Sequence, residues 1–354
     1  MNPVDRCDLR ARVEKALSVF LAQQRALLMQ IDPALGPVAE AIEAFVLGGG
    51  KRLRPAFAYW GYRGASGTDS DEVVAAVSAL ELVQGSALIH DDVMDASDTR
   101  RGEPSIHRRF ATLHSVHDWD GEAEAFGAAS AILLGDLCLT WSDELLRVSG
   151  LDPAALLRAR PVFDVMRTEV IAGQYLDVHA QATADSSLRR ASTVARFKSA
   201  KYTVERPLLL GAAIADAPAP VEAAYSRYGL AVGEAFQLRD DVLGVFGDPA
   251  RTGKPAGDDL REGKRTYLVA AALDGAAADA ADRLRRGLGD LGLGEPEVDH
   301  LREIIVDSGA LDRTEERIAS LTKTALDALA PLDLAADAAT VLTELARAAT
   351  HRTA

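Results

Sequence analysis

Apolar residues recur at three- and four-residue spacing through most of this chain, which is the pattern of helices with one or more buried faces. It predicts a first helix over Leu9–Gln30 and a second opened by Pro37 and stopped at Gly48-Gly49-Gly50. Lys51-Arg52-Leu53-Arg54-Pro55 leads into a third helix, and Gly64–Asp71 reads as a loop. A long helix then begins at Asp71-Glu72 and reaches Asp95. Residues 96–104 are polar and end in Gly102 and Pro104, which marks a loop, and His114–Glu124 is a second polar stretch. Helical periodicity resumes over Ala125–Gly150, Pro153–Val178, Leu188–Ala215 and Pro220–Phe246. It breaks over Gly247–Arg265, where glycines, Pro255 and alternating charges read as a mobile lid, because apolar helices continue on both sides. Shorter helices fill Tyr267–Thr350. No Pro/Ser-rich linker and no strong repeat interrupts this series, so the expectation is one all-α domain over 1–354 with its core at about 10–350.

Composition narrows the function. Aromatic residues are 5% of the 354 and Ala and Leu abound, which favours close-packed helices over a sheet. The formal charge of −14 argues against a nucleic-acid partner. It also means that an anionic substrate needs metals and local Lys/Arg clusters to screen the repulsion. With only Cys7 and Cys138 there is no disulfide framework, so a reducing, cytoplasmic setting is expected. The charged N-terminal stretch Met1–Arg12 has no signal-peptide core, and no uncharged apolar run has the length of a transmembrane segment.

Two acidic clusters carry the chemistry. The first is His90-Asp91-Asp92-Val93-Met94-Asp95, followed by Arg100-Arg101-Gly102; the second is Gln237-Leu238-Arg239-Asp240-Asp241. On a helix Asp91 and Asp95 share a face, with Asp92 beside them and Gln84 two turns earlier. Carboxylates so close repel one another unless a cation holds them, and hard oxygen donors suit Mg²⁺ bound to phosphate oxygens. A solvated helix end is the bland alternative for one such triplet. The apolar Ala87-Leu88-Ile89 before it and the second cluster weigh against that. Arg100 and Arg101 have the forked geometry that suits phosphate. Lys51, Arg52 and Arg54 after three glycines form a candidate phosphate cradle without the spacing of a nucleotide-binding P-loop. Lys198, Lys254 and Lys264 are further phosphate candidates, and Gln174 and Asp177 are candidates for a supporting role.

In this order the motifs resemble those of the trans-isoprenyl diphosphate synthases of the polyprenyl synthetase family, in the bacterial geranylgeranyl/farnesyl branch. They are Gly49-Gly50-Lys51-x-x-Arg54, Asp91-Asp92-x-x-Asp95, Arg100-Arg101-Gly102, Gly173-Gln174-x-x-Asp177, Lys198-Ser199, Phe236-Gln237-x-x-Asp240-Asp241 and Gly253-Lys254-x-x-Gly257-x-Asp259. The resemblance implies an all-α isoprenoid synthase-type helical bundle around a central cavity, and a homodimer. It implies about three Mg²⁺ ions per site, with Asp91 and Asp95 holding two on an allylic diphosphate and Asp240 the third. Asp92 belongs to the same catalytic motif. Arg100, Lys198 and Lys264 would contact the allylic diphosphate (dimethylallyl, geranyl or farnesyl). Lys51, Arg54, Gln84 and Arg101 would hold isopentenyl diphosphate, and Lys254 would close over the leaving group. Ser199 and Gln237 would lie near the developing cation. One position departs from the pattern: the family's second motif usually has a third aspartate where this chain has Gly244, and Asp248 is too far along the helix to replace it.

Product length is expected to follow from the helix before Asp91. Val83, Ser86 and Ala87 line that direction, and small Ser86 and Ala87 would leave room past fifteen carbons, to geranylgeranyl diphosphate. Leu137, Trp141 and Met166 are candidates for a deeper floor. The alternatives are a farnesyl or longer-chain synthase, or a non-catalytic subunit of a heteromeric prenyl synthase. A class I terpene synthase is disfavoured. Its second metal motif has only a chance match here, at Asp337, Thr340 and Glu344 near the C-terminus. A dimetal-carboxylate bundle fails for want of paired Glu-x-x-His motifs.

Overall fold

The computed structural model describes residues 3–247 and 257–350. It is helical nearly throughout, with a short two-stranded hairpin as its sheet among the described residues. The chain divides into two compact units, 1–59 with 68–157, and 60–67 with 158–354.

In the first unit, α1 (Leu9–Ile31), α2 (Gly36–Leu47), the start of α3 (Leu53–Gly64) and α4 (Asp71–Met94) follow the sequence pattern. Ser70 caps α4 by accepting from the Val73 amide, and Asp71 and Glu72 suit the positive end of the helix. Buried residues run round all sides of α4, from Val73 to Asp92, as expected of a helix enclosed by others. Each fully buried Leu or Val there contributes about 1.5–3 kcal/mol. α6 (Ala123–Arg147) packs closely on it. Gly135 of α6 makes room for the His90 ring, whose Nε2 meets the Ile132 carbonyl at 3.0 Å, and Gly85 of α4 faces Cys138. By length and composition alone both α4 and α6 are apolar enough to cross a membrane, but 72% of the apolar window of α4 is buried, which marks a core helix. The same window of α6 is 33% buried, and Phe126, Ile132 and Leu133 are exposed.

The polar stretch after Asp95 holds structure that periodicity does not announce. Thr99–Arg100 and Glu103–Pro104 pair as β1 and β2, and α5 (Ile106–Val116) follows. The hairpin turn is Arg101-Gly102, both with positive φ (57° and 81°), which is the requirement of a two-residue type I′ turn.

In the second unit, α7 (Pro153–Ala182) begins within the first unit's range and continues past Pro161. Three consecutive segments, α8 (Leu188–Val194), a π-helical stretch (Ala195–Glu205) and α9 (Arg206–Ile214), make up the predicted Leu188–Ala215 helix. α10 (Ala219–Phe246) packs against the π stretch. The remaining helices are α11 (Asp258–Arg261), α12 (Tyr267–Gly275), α13 (Ala278–Gly287), α14 (Glu295–Asp307), α15 (Ala310–Leu329) and α16 (Ala336–Thr350). The lid expectation over Gly247–Arg265 is corrected for its described half. Leu260 is fully buried in the cluster formed by α10, α12 and α14, and Gly263 lies against the Gly289 backbone, so this half is anchored to the core.

Candidate active site

The first acidic cluster occupies the last turn of α4. Asp91 and Asp95, both half-buried, are four residues apart and share a face. This is the negative end of the helix, and the turn carries no basic residue. Asp92 points elsewhere. It is fully buried and accepts from Nε of Arg100 at 2.9 Å and from its Nη2. Burial pushes its pKa up, and the arginine pulls it back. Its Oδ2 has no hydrogen-bonding partner among the described residues. Asp92 therefore positions Arg100.

Four arginines gather near the hairpin. Arg101 donates to the Gly49 carbonyl at 2.9 Å, which ties the hairpin turn to the glycine loop. Gly49 and Gly50 have φ of +104° and +127°, open only to glycine. Arg52 is fully buried and pairs with Glu81 at 2.6 Å and the Val46 carbonyl at 2.9 Å, so it holds the loop to α4 and α2. Lys51 is exposed and Arg54 half-buried. The Arg101 guanidinium lies below its ordinary pKa because of burial and the charges of Arg52, Arg100 and Arg54. Such mutual repulsion is relieved by an anion, and guanidinium forks match phosphate oxygens. Gln84 and Ala87 are half-buried on α4, and Val83 and Ser86 buried.

In the second unit, Lys198 and Ser199 stand on the π stretch. A π turn is wider than an α turn and is frequent at functional sites. Glycines on both neighbouring helices admit it. A β-carbon on Gly173 of α7 would fall 2.3 Å from the Lys198 amide nitrogen, and one on Gly229 of α10 2.5 Å from the Glu205 Cα. One on Gly233 would fall 2.5 Å from the Ala200 Cα. Glu205 accepts from Lys201 at 2.8 Å and Ser226 at 2.6 Å, and Glu169 pairs with Lys201 and Arg206. Asp177 pairs with the Lys198 ammonium at 2.6 Å, which gives the expected supporting carboxylate its object. Ser199 is buried. Gly233→Ala is expected to cost about 1–3 kcal/mol, because backbone rather than a side-chain tip must yield; urea unfolding measures it.

The second acidic cluster lies in the last two turns of α10, again at a negative helix end without a basic residue in its last turn. Asp241 is buried, accepts from Gln237 Nε2 at 2.8 Å and the Tyr267 amide at 3.3 Å, and has its pKa pushed up to about 7. Burial is the main cause, and the charges of Asp259 and Asp240 add to it. Asp240 is half-buried beside it. Lys264 Nζ pairs with Glu262 and lies 3.6 Å from Asp259 Oδ1. Lys254 lies outside the described residues. Each cluster presents, at a negative helix end, hard carboxylate oxygens of the kind that suit Mg²⁺. Sequence reasoning did not find Glu81 or the π stretch; the glycines at 173, 229 and 233 were the available signal for the latter.

A family model described as polyprenyl synthetase matches residues 37–305, running through both units. The structure is similar to geranylgeranyl pyrophosphate synthase from Corynebacterium glutamicum, solved with isoprenyl diphosphate and magnesium, with a TM-score of 0.94 and 42% identity over 97% of this chain and 98% of that one. Geranylfarnesyl diphosphate synthase from Aeropyrum pernix is 33% identical over 79% of this chain and 83% of its own. Geranylgeranyl diphosphate synthase from Saccharolobus solfataricus is 31% identical over 73% of each.

Proposed function

This chain belongs to the polyprenyl synthetase family, and on that premise we propose that it joins isopentenyl diphosphate head-to-tail to an allylic diphosphate, ending at geranylgeranyl diphosphate. The likeness to the Corynebacterium glutamicum enzyme over nearly the whole chain is the observation that carries this reading. The allylic C–O bond breaks and diphosphate departs. The double bond of isopentenyl diphosphate attacks the allylic carbon, and a proton lost to the departing diphosphate restores a double bond. Mg²⁺, when bound, neutralises the leaving diphosphate. Asp91 and Asp95 of the first cluster and Asp240 of the second are the carboxylates that would hold it. Arg100, aimed by Asp92, Lys198, aimed by Asp177, and Lys264 grip the allylic diphosphate. Lys51, Arg54, Arg101 and Gln84 hold isopentenyl diphosphate, and the crowding of Arg101 by other arginines supports an anion there. Ser199 and Gln237 serve the reacting carbons, and Lys254 covers the leaving group.

The enzyme acts as one catalytic domain, a cytoplasmic homodimer. Its free Cys7 and Cys138 suit a reducing compartment. The exposed Phe126, Ile132 and Leu133 of α6 suit burial against a second copy. Small Ser86 and Ala87 support growth past farnesyl diphosphate. The likeness to a geranylfarnesyl diphosphate synthase favours, as the second reading, one further isoprene unit. Purified protein given Mg²⁺, isopentenyl diphosphate and each of the three primers tests this by mass spectrometry. Geranylgeranyl diphosphate as the main product supports it; a cyclic hydrocarbon or no elongation overturns it. Ala87→Phe is expected to shorten the main product to farnesyl diphosphate. An unchanged product distribution removes Ala87 from the pocket.

A further inference from the structure

We propose that Arg10, in the first turn of α1, is a positioning residue for isopentenyl diphosphate: it holds the glycine loop from which Lys51 projects. The inference rests on the reading of Lys51 and Arg54 as ligands of that substrate. Arg10 Nη1 donates to the Gly50 carbonyl at 2.8 Å, across 40 residues of chain. Arg101 takes the carbonyl before it, that of Gly49, at 2.9 Å. A peptide group is planar, with its N–H directed opposite to its C=O. Neighbouring carbonyls held by two arginines therefore fix two consecutive peptide planes, and the second of these is the Gly50–Lys51 peptide. Arg10 thus sets the direction in which Lys51 leaves the loop.

The loop needs such a hold. Gly49 and Gly50 both sit at positive φ, and glycine has more conformational freedom to lose on ordering than any other residue. Arg52 follows at φ +50°, uncommon for a residue with a β-carbon, and its buried pairing with Glu81 keeps it there. Arg101 fixes the loop at Gly49 and Arg52 fixes its far end; Arg10 fixes Gly50 between them. Helix stability does not account for Arg10. α1 has no acidic residue in its first turn, and a cation there opposes the positive end of the helix. Asp5 offsets this from the preceding segment by accepting from Arg10 Nε at 2.7 Å, which leaves Nη1 to the loop. Leu9 and Val13, both fully buried, seat the turn on which Arg10 stands. The family match begins at residue 37, so this hold comes from a helix outside the matched range.

The test is steady-state kinetics of the full-length protein with Mg²⁺, varying isopentenyl diphosphate and farnesyl diphosphate in turn. Arg10→Ala is expected to raise KM for isopentenyl diphosphate by about tenfold, the loss of one charge-assisted hydrogen bond, and to leave KM for the allylic substrate and kcat within about twofold. Arg10→Lys keeps the charge and a donor and is expected to recover part of the loss. Arg12→Ala is the control. Arg12 stands in the same turn of α1 and pairs with Asp69 and Asp71, each at 2.9 Å, so its removal loosens the helix without touching the loop. It is expected to leave both KM values as they are. A native KM for isopentenyl diphosphate in Arg10→Ala at equal folded content overturns the inference. An equal rise in both KM values does so too, as does the same rise in Arg12→Ala. Lys51→Ala separates this from failure of the reading beneath it. If Lys51→Ala raises KM for isopentenyl diphosphate and Arg10→Ala does not, only the role of Arg10 falls; if neither does, the assignment of the glycine loop to that substrate falls.

Discussion

Asp91→Ala is expected to lower kcat/KM for chain elongation by about a thousandfold while leaving the fold intact. The loss follows from where Asp91 stands. It is half-buried in the last turn of α4, at the negative end of the helix, with no basic residue in that turn. Its carboxylate opposes the helix dipole and sits beside like-charged Asp92 and Asp95, while its charge acts favourably on Arg100. Removing it relieves the one and loses the other, so the melting temperature without Mg²⁺ should change little. Ionisation of the allylic substrate puts negative charge on the departing diphosphate, and a group that stabilises this developing charge acts on kcat. Steady-state kinetics over a range of Mg²⁺ concentrations measures it. Excess Mg²⁺ should recover only part of the rate, because the alanine removes the geometry of the ion as well as its affinity. A variant with native kcat/KM would show that the last turn of α4 takes no part in the chemistry.

Asp92→Ala is expected to act by a different route and to damage both stability and activity. Asp92 is fully buried and Arg100 mostly so, and the arginine approaches through Nε at 2.9 Å and through Nη2. Deleting one partner of a buried pair leaves the other charge uncompensated, at a typical cost of about 3–5 kcal/mol. Arg100 keeps some access to water (20% of its side chain), so the expected loss is near the lower figure, about 3 kcal/mol by urea unfolding. The freed guanidinium no longer points in one direction. KM for the allylic diphosphate should therefore rise along with the fall in kcat, whereas Asp91→Ala acts mainly on kcat. Asp92→Asn is the discriminating variant: it keeps the volume and loses the charge. If it matches wild type in both stability and KM, Arg100 is held by something other than Asp92.

The contrast between Asp91 and Asp92 marks how far the sequence could be read. Long helices were legible because their signals are local: apolar spacing, Pro37 and Pro153 at starts, glycines at Gly48–Gly50. The acidic and basic motifs were legible because they are contiguous. Which carboxylate of a contiguous set faces inward was not, since Asp92 turns away only because Arg100 returns on a hairpin. That hairpin lies in polar sequence with no clear period, and Arg101-Gly102 declares its turn type only through left-handed backbone. Arg52 looked like one more cation in a cradle. Its pairing with Glu81 depends on the path of α4, which spacing does not reveal. The π stretch left a trace in Gly173, Gly229 and Gly233, but each is an ordinary small residue until the helix it admits is known. The same holds for Gly244: in the chain it reads as a missing aspartate, and only the structure places the Asp259 carboxylate against it.

We propose that the carboxylates of both acidic clusters hold divalent ions on a diphosphate. A crystal structure of the protein with Mn²⁺ and inorganic diphosphate, read by anomalous scattering, tests this. Mn²⁺ peaks are expected within bonding distance of Asp91, Asp95 and Asp240, each also touching a diphosphate oxygen. Diphosphate bound by arginines and lysines alone, with no Mn²⁺ at those three aspartates, would contradict it.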